Sequence, residues 1–220
     1  MPVRKIPRYG AQKNIGKFSS VKTGRVAWYE SLLERDHMYL LDFDPQIIYW
    51  HEQPLRFRYT LDGKTHWYTP DVEVLRDSKK QIVEVKSQDQ IESGEWDFLF
   101  RTAASISKEE DYEYIVVTDE VIRIQPKLET VKKLWKYART AVPPQHQILC
   151  RDFYQKKQIA QVELGDLLQL FKTNSVPASC LYALLFWGAL DLDLMQPLDS
   201  CSLITLPSIT TVGLNNRKAS

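Results

Sequence analysis

The sequence is short of the features that would carry a protein across or out of a membrane. It has no apolar run near the roughly 18 residues of a membrane helix, and its first residues lack the apolar stretch of a signal peptide. Its three cysteines, Cys150, Cys180 and Cys201, are odd in number and far apart, which fits neither a disulfide framework nor a zinc site. Reduced thiols and a cytoplasmic protein are the expectation. Internal repeats and low-complexity tracts are absent, and 220 residues suit one domain plus a smaller one. Acid is missing from the N-terminal stretch. Residues 1–25 hold Arg4, Lys5, Arg8, Lys13, Lys17, Lys22 and Arg25 and no Asp or Glu, although the formal net charge of the chain is only +1. This single-sign run, with Gly10, Gly16 and Gly24 in it, reads as a mobile basic arm suited to phosphate contacts on a polyanion, or else as a solubilising or targeting tail.

What is present concentrates between Trp67 and Ser87. The run W-Y-T-P-D-V-E-V-L, the polar R-D-S-K-K and the run Q-I-V-E-V-K-S predict an antiparallel β-hairpin with one buried face. On its second strand Ile82, Glu84 and Lys86 share a face because side chains alternate with period two. A carboxylate and an ammonium therefore stand side by side. Asp71 follows Pro70, which removes a ladder donor and frays or bulges the first strand. Asp71 joins Glu84 and Lys86 if it pairs opposite one of them or if a bulge resets the alternation, and faces away if it pairs with Val85. Brought together, the three make a divalent-metal site with a lysine beside it. The competing reading is a solvated hairpin in which Glu84 and Lys86 form a weak surface pair.

Residues 26–41 have helical periodicity, with Trp28, Leu32, Leu33, Leu40 and Leu41 as the apolar stripe. Glu30 and Glu34 fall one turn apart on it, and Glu30 is expected to face solvent. A short strand at 47–50 follows. A strand at 55–61 then leads through the turn Asp62-Gly63-Lys64 into the central hairpin, so three strands form a meander. A helix over 95–107, a mostly apolar strand over 112–118 and a helix over 127–138 complete an α/β fold, a mixed sheet with helices packed on it. Pro143-Pro144 is the expected linker. Helices over 145–158, 162–171 and 177–188, with alternating runs over 189–194 and 202–206, then suggest a winged-helix module. Its third helix offers no Arg or Lys to a DNA groove, and Lys172 is the one basic residue between residues 171 and 210. Leu181, Leu184, Leu185, Phe186 and Trp187 read as core or as a protein-binding surface. The expected divisions are 1–25, 26–142 and 145–220.

The order αβββαβ, with Glu34 on the first helix, Pro70-Asp71 on a strand and Glu84-Val85-Lys86 on the next, resembles the PD-(D/E)xK restriction-endonuclease-like nucleases. More narrowly, K-T-G-R at 22–25, L-L-E at 32–34, F-D-P at 43–45, E-Q-P at 52–54, T-P-D-V at 69–72 and V-E-V-K at 83–86, with the winged-helix tail behind them, resemble the TnsA family. Its members are endonuclease subunits of heteromeric cut-and-paste bacterial transposons. The motif set spans nearly the whole chain.

That resemblance implies catalytic roles for Glu34, Asp71, Glu84 and Lys86, with Glu34 preferred to Glu30 by its spacing to Glu52-Gln53. It implies one or two Mg²⁺ ions held by Asp71, Glu84 and the Val85 carbonyl, with Glu34 completing the set. Hard oxygen ligands suit Mg²⁺, and positive charge suits a phosphodiester in its in-line transition state. The resemblance further implies cleavage of double-stranded DNA on the 5′, non-transferred strand of transposon ends in a bacterial cytoplasm. A TnsB-type transposase would act alongside, and a TnsC-type AAA+ ATPase would contact the C-terminal domain. Glu84 departs from relatives that carry Gln there, and the segment before the first helix is shorter than in the longest members. A junction resolvase, a restriction enzyme and a catalytically silent bridge from DNA to an ATPase are the alternatives.

Overall fold

A computed structural model describes residues 14–207, so Arg4, Lys5, Arg8 and Lys13 lie outside the described residues. The packing divides the chain between Ile124 and Gln125 into two compact units. The first opens with an antiparallel hairpin, β1 (Gly16–Ser19) and β2 (Val26–Tyr29), where the sequence had pointed to a free arm and a helix. Phe18 and Ala27 pair across it and are buried. The turn is held by Asp42, a fully buried side chain. Its carboxylate accepts the Ser20 hydroxyl at 2.6 Å, the Val21 N–H at 2.7 Å and the Trp50 indole N–H at 3.0 Å. A carboxylate removed from water needs such donors, so this distant acid fixes a segment whose own composition looks mobile.

Helix α1 (Leu32–Phe43) begins later than expected because Ser31 is its N-cap. Ser31 has an extended backbone, and its hydroxyl accepts the Glu34 N–H at 3.0 Å, which satisfies one of the free donors of a helix start. Then come β3 (Ile47–Glu52), β4 (Phe57–Leu61), β5 (Lys64–Tyr68), β6 (Val72–Arg76), β7 (Lys79–Lys86), the short α2 (Gln88–Glu92), α3 (Asp97–Glu109), β8 (Glu113–Thr118) and α4 (Asp119–Ile122). The central sheet has the order β3-β6-β7-β8, with β7 and β8 parallel and the other pairs antiparallel. In β7 residues 81–85 are all buried, as in a strand covered on both faces. α1 packs on β7 and α3 on β8.

The expected meander is corrected in one respect. β4 and β5 pair only with each other, as a separate two-stranded ribbon, and β3 takes the place in the sheet. The reason is Pro70, which has no N–H for a ladder and breaks the extended run between β5 and β6. With the ribbon set aside, α1-β3-β6-β7-α3-β8 reads αβββαβ. The ribbon turns on Asp62 and Gly63, with φ of +51° and +71°, the pair of positive angles that a tight two-residue hairpin requires.

The second unit contains α5 (Lys127–Trp135), α6 (Pro144–Lys157), β9 (Gln161–Glu163), α7 (Leu164–Thr173), α8 (Ala178–Phe186), β10 (Asp191–Leu192) and β11 (Leu203–Thr205). Its antiparallel sheet has the order β10-β11-β9. α5 packs with α8, so the break between units falls before this helix rather than at Pro143-Pro144. Leu167, Phe171, Leu181, Leu185 and Ile204 are fully buried, while Trp187 is 48% exposed, which divides the apolar run of α8 into core and surface. Among the described residues no helix is long and apolar enough to cross a membrane.

Candidate active site

The β6–β7 register ends with Val72 opposite Val83. One residue further Asp71 stands opposite Glu84, on the face that Glu84 shares with Lys86. Asp71 Oδ2 accepts the Val85 N–H at 2.8 Å. Glu84, 2% exposed, takes the Lys86 amine on Oε1 at 2.6 Å and the Tyr68 hydroxyl on Oε2. That hydroxyl lies 3.0 Å from the Tyr114 hydroxyl. The Lys86 amine also sits 5.0 Å from the Trp96 ring centroid. Glu34 enters from the first turn of α1, where its carboxylate reaches back to accept the Glu30 N–H at 2.8 Å. Glu34, Asp71, Glu84 and Lys86 are therefore brought together by a helix start and two strand ends.

The charges are in tension. Burial raises the Asp71 pKa well above the ordinary value, and the Glu84 and Glu34 carboxylates raise it further against the pull of Lys86. Burial also raises Glu34, only partly offset by the Glu30 N–H and Ser31 hydrogen bonds. Burial alone would lower Lys86, but Glu84 and Asp71 outweigh it and hold the amine above its ordinary value. Lys86 is thus a persistent cation. Burial, with Glu84 next, pushes the Tyr68 phenol far up, so it stays a donor.

Sequence reasoning placed Glu30 in solvent, and the structure corrects this: it is 7% exposed. Its Oε1 accepts the Gln53 amide at 2.8 Å, and the Gln53 backbone N–H donates to the Asp71 carbonyl at 2.8 Å. Glu30 precedes the N-cap, so the one-turn spacing to Glu34 does not apply. The signal that could have shown this is Ser31-x-x-Glu34, the sequence of a capped helix start. Tyr68 was also missed; its inward parity on β5 was legible, its partner across the ribbon base was not.

A Mg²⁺ ion fits this set in charge and in donor type, since hard carboxylate oxygens crowd one another around a single lysine. Among the described residues, however, no three His, Cys, Asp or Glu side chains stand ready to hold an ion as they are. The oxygens are already engaged by donors, and Lys86 and the Tyr68 hydroxyl are the groups that would give way on Glu84. Of the basic residues expected at DNA, Lys17 is exposed with its amine 4.9 Å from the Trp28 ring, and Arg25 donates to the Tyr49 hydroxyl at 3.2 Å. The Lys22 amine donates to the carbonyl of Asp44 and, at 2.7 Å, to that of Ile47. Lys22 therefore pins the fold instead of reaching outward from an arm.

Residues 44–139 match the family described as TnsA-like endonuclease N terminal. The match includes Asp71, Glu84 and Lys86 and begins after Glu30 and Glu34. A comparison with curated proteins finds no match.

Proposed function

We propose, with the match of residues 44–139 to the TnsA-like endonuclease N-terminal family as the premise, that this chain is a Mg²⁺-dependent DNA endonuclease of Tn7-like transposition. Its substrate is the 5′, non-transferred strand at transposon ends in duplex DNA. The observation that carries the reading is the meeting of Asp71, Glu84 and Lys86 at the end of β6 and β7 with Glu34 beside them, in the carboxylate tension described above.

Asp71, Glu84 and the Val85 carbonyl would hold the ion, and Glu34 would complete the set or hold a second. Bound there, Mg²⁺ supplies positive charge beside the scissile phosphate and favours deprotonation of the attacking water. Lys86 donates to the phosphate oxygens as charge builds on them and fixes the line of attack. Water forms the new bond to phosphorus, the bond to the sugar oxygen breaks, and that oxygen leaves with a proton. Lys86, which now donates to Glu84 Oε1, would give that oxygen up to the ion and turn its amine to the phosphate beside it, while the Tyr68 hydroxyl on Oε2 keeps the Glu84 carboxylate oriented until it too is displaced.

In the second unit the order α6-β9-α7-α8-β10-β11 supports a winged-helix reading. α8 carries no Arg or Lys, which favours a protein partner, a TnsC-type AAA+ ATPase, with a TnsB-type transposase acting on the other strand. Lys17 and Arg25, with Arg4, Lys5, Arg8 and Lys13 in the same charge run, supply phosphate contacts.

The test is nicking of transposon-end DNA with Mg²⁺ and the partner transposase, comparing the wild type with Asp71→Ala and Lys86→Ala. Loss of cutting in both variants is expected. Normal cutting by both overturns the site, and a wild type that never cuts overturns the nuclease reading.

A further inference from the structure

The ribbon β4–β5 is built with two unlike faces. Phe57 pairs with Tyr68 and Tyr59 with His66 on one of them. There Phe57 and Tyr68 are buried with Ala103, against Leu99 and Ile106 of α3. On the other face Arg58 pairs with Trp67 and Thr60 with Thr65, and all four are exposed. Trp67 is 53% exposed, one of the most open large side chains in the protein. The guanidinium of Arg56 lies 4.6 Å from its ring centroid, a cation–π contact that holds the arginine in place while leaving its N–H edge free. Residues 54–69 carry Arg56, Arg58 and Lys64 against the single acid Asp62. Among the described residues neither Arg56 nor Arg58 is paired with a carboxylate.

This face begins where the site ends. Trp67 is the neighbour of Tyr68, whose hydroxyl holds Glu84, and Asp71 follows three residues on. Five strand residues extend about 17 Å at the usual rise, which is roughly half a turn of B-form DNA. An indole left in water on the outward face contributes nothing to the core beneath it, whereas a cation stacked on an indole beside a second free arginine matches a sugar–phosphate chain.

We propose that the outward face of β4–β5 holds the DNA backbone next to the cleaved bond: Arg56 and Arg58 contact phosphates, and Trp67 packs on the sugar between them. The inference rests on the nuclease reading and adds to it the element that holds the substrate. The contacts are to backbone, so they are indifferent to sequence.

The test measures binding of a labelled 30-base-pair duplex to the full chain by fluorescence anisotropy between 50 and 200 mM KCl, in an Asp71→Ala background that suppresses cutting. Each lost phosphate contact flattens the slope of log K against log salt by about 0.9. Arg56→Ala/Arg58→Ala is therefore expected to flatten it by about 2 and to weaken binding equally on unrelated sequences. Arg56→Lys/Arg58→Lys is expected to restore the slope, which separates a charge effect from misfolding. Trp67→Ala should weaken binding with the slope unchanged, since packing on a sugar releases no counterions. An unchanged slope and affinity in the double alanine variant overturns the proposal, as does a parent chain with no salt-dependent binding. If the wild type still nicks DNA in the partner assay, the nuclease reading stands even so; if it does not, that reading has failed on its own ground.

Discussion

The two compact units bury opposite chemistries. The first encloses Glu30, Asp36, His37, Asp42, Glu52 and Glu84, while in the second the buried described residues are apolar apart from Thr130. Burying charge opposes folding unless every lone pair finds a donor, and even a paired charge is seldom worth its apolar replacement. Asp42, with three donors on its oxygens, and Asp36, which takes Arg123 at 3.1 Å, tie distant segments together. Asp71, Glu34 and Glu84 are different, because they hinder one another. The second unit is stable for the ordinary reason, and the first holds part of its structure in a state that chemistry can use.

If that contrast is right, truncating the core of the second unit should have the largest effect on stability. Phe171→Ala is expected to lower it by about 3–5 kcal/mol, read as a shift in the urea midpoint. Lys86→Ala should lower the nicking rate by about 10²–10³-fold and, because it leaves the buried Glu84 carboxylate without its cation, should also lower that midpoint. Lys86→Arg, which keeps the charge, is expected to restore the midpoint while the rate stays low; a midpoint that stays low in Lys86→Arg would erase the contrast.

The pH dependence sharpens it. Asp71 and Glu34 hold protons more tightly folded than unfolded, so their contribution to stability is fully present below the ordinary carboxylate range. It is lost as pH rises from the ordinary Asp71 value of 3.8 through the raised folded value. Asp71→Asn removes that loss. Its stability should exceed that of the wild type increasingly from acid to neutral pH, in urea titrations without divalent ions, and added Mg²⁺ should narrow the gap by stabilising only the wild type. A constant gap across pH would show that the carboxylates do not strain the fold.

Smaller effects discriminate further. Tyr68→Phe leaves the ring packed on Phe57 and removes only the donor to Glu84. Its expected cost is about 1.5 kcal/mol in transition-state stabilisation, near tenfold in kcat/KM. Least of all, Lys133→Ala breaks the exposed pair with Glu129, at 3.0 Å in one turn of α5, and should change the stability of the second unit by about 0.3–0.5 kcal/mol.

What could be read beforehand follows the same division. The alternation of 67–87 fixes the faces of β6 and β7, but the parity of Asp71 with Glu84 stayed open until the ladder showed Val72 opposite Val83. The Asp-Gly turn and the helices beyond Pro143 are local signals too. The hairpin at 16–29 was illegible because Asp42, which anchors it, comes 22 residues after Ser20. The exit of β4 from the sheet needed knowledge that β3 would pair with β6. Glu30 was misplaced for a local reason, since periodicity was extended across a capping serine.

Because β3 and β6 are adjacent in the sheet although the ribbon lies between them in the chain, the ladder closes the same way whatever length of polypeptide leaves and returns there. Closing a longer excursion costs little, since the entropy grows only with the logarithm of its length. The ribbon between Gln53 and Pro70 can thus be lengthened at its Asp62-Gly63 tip, away from Phe57 and Tyr68 at its base, while the catalytic strands keep their register.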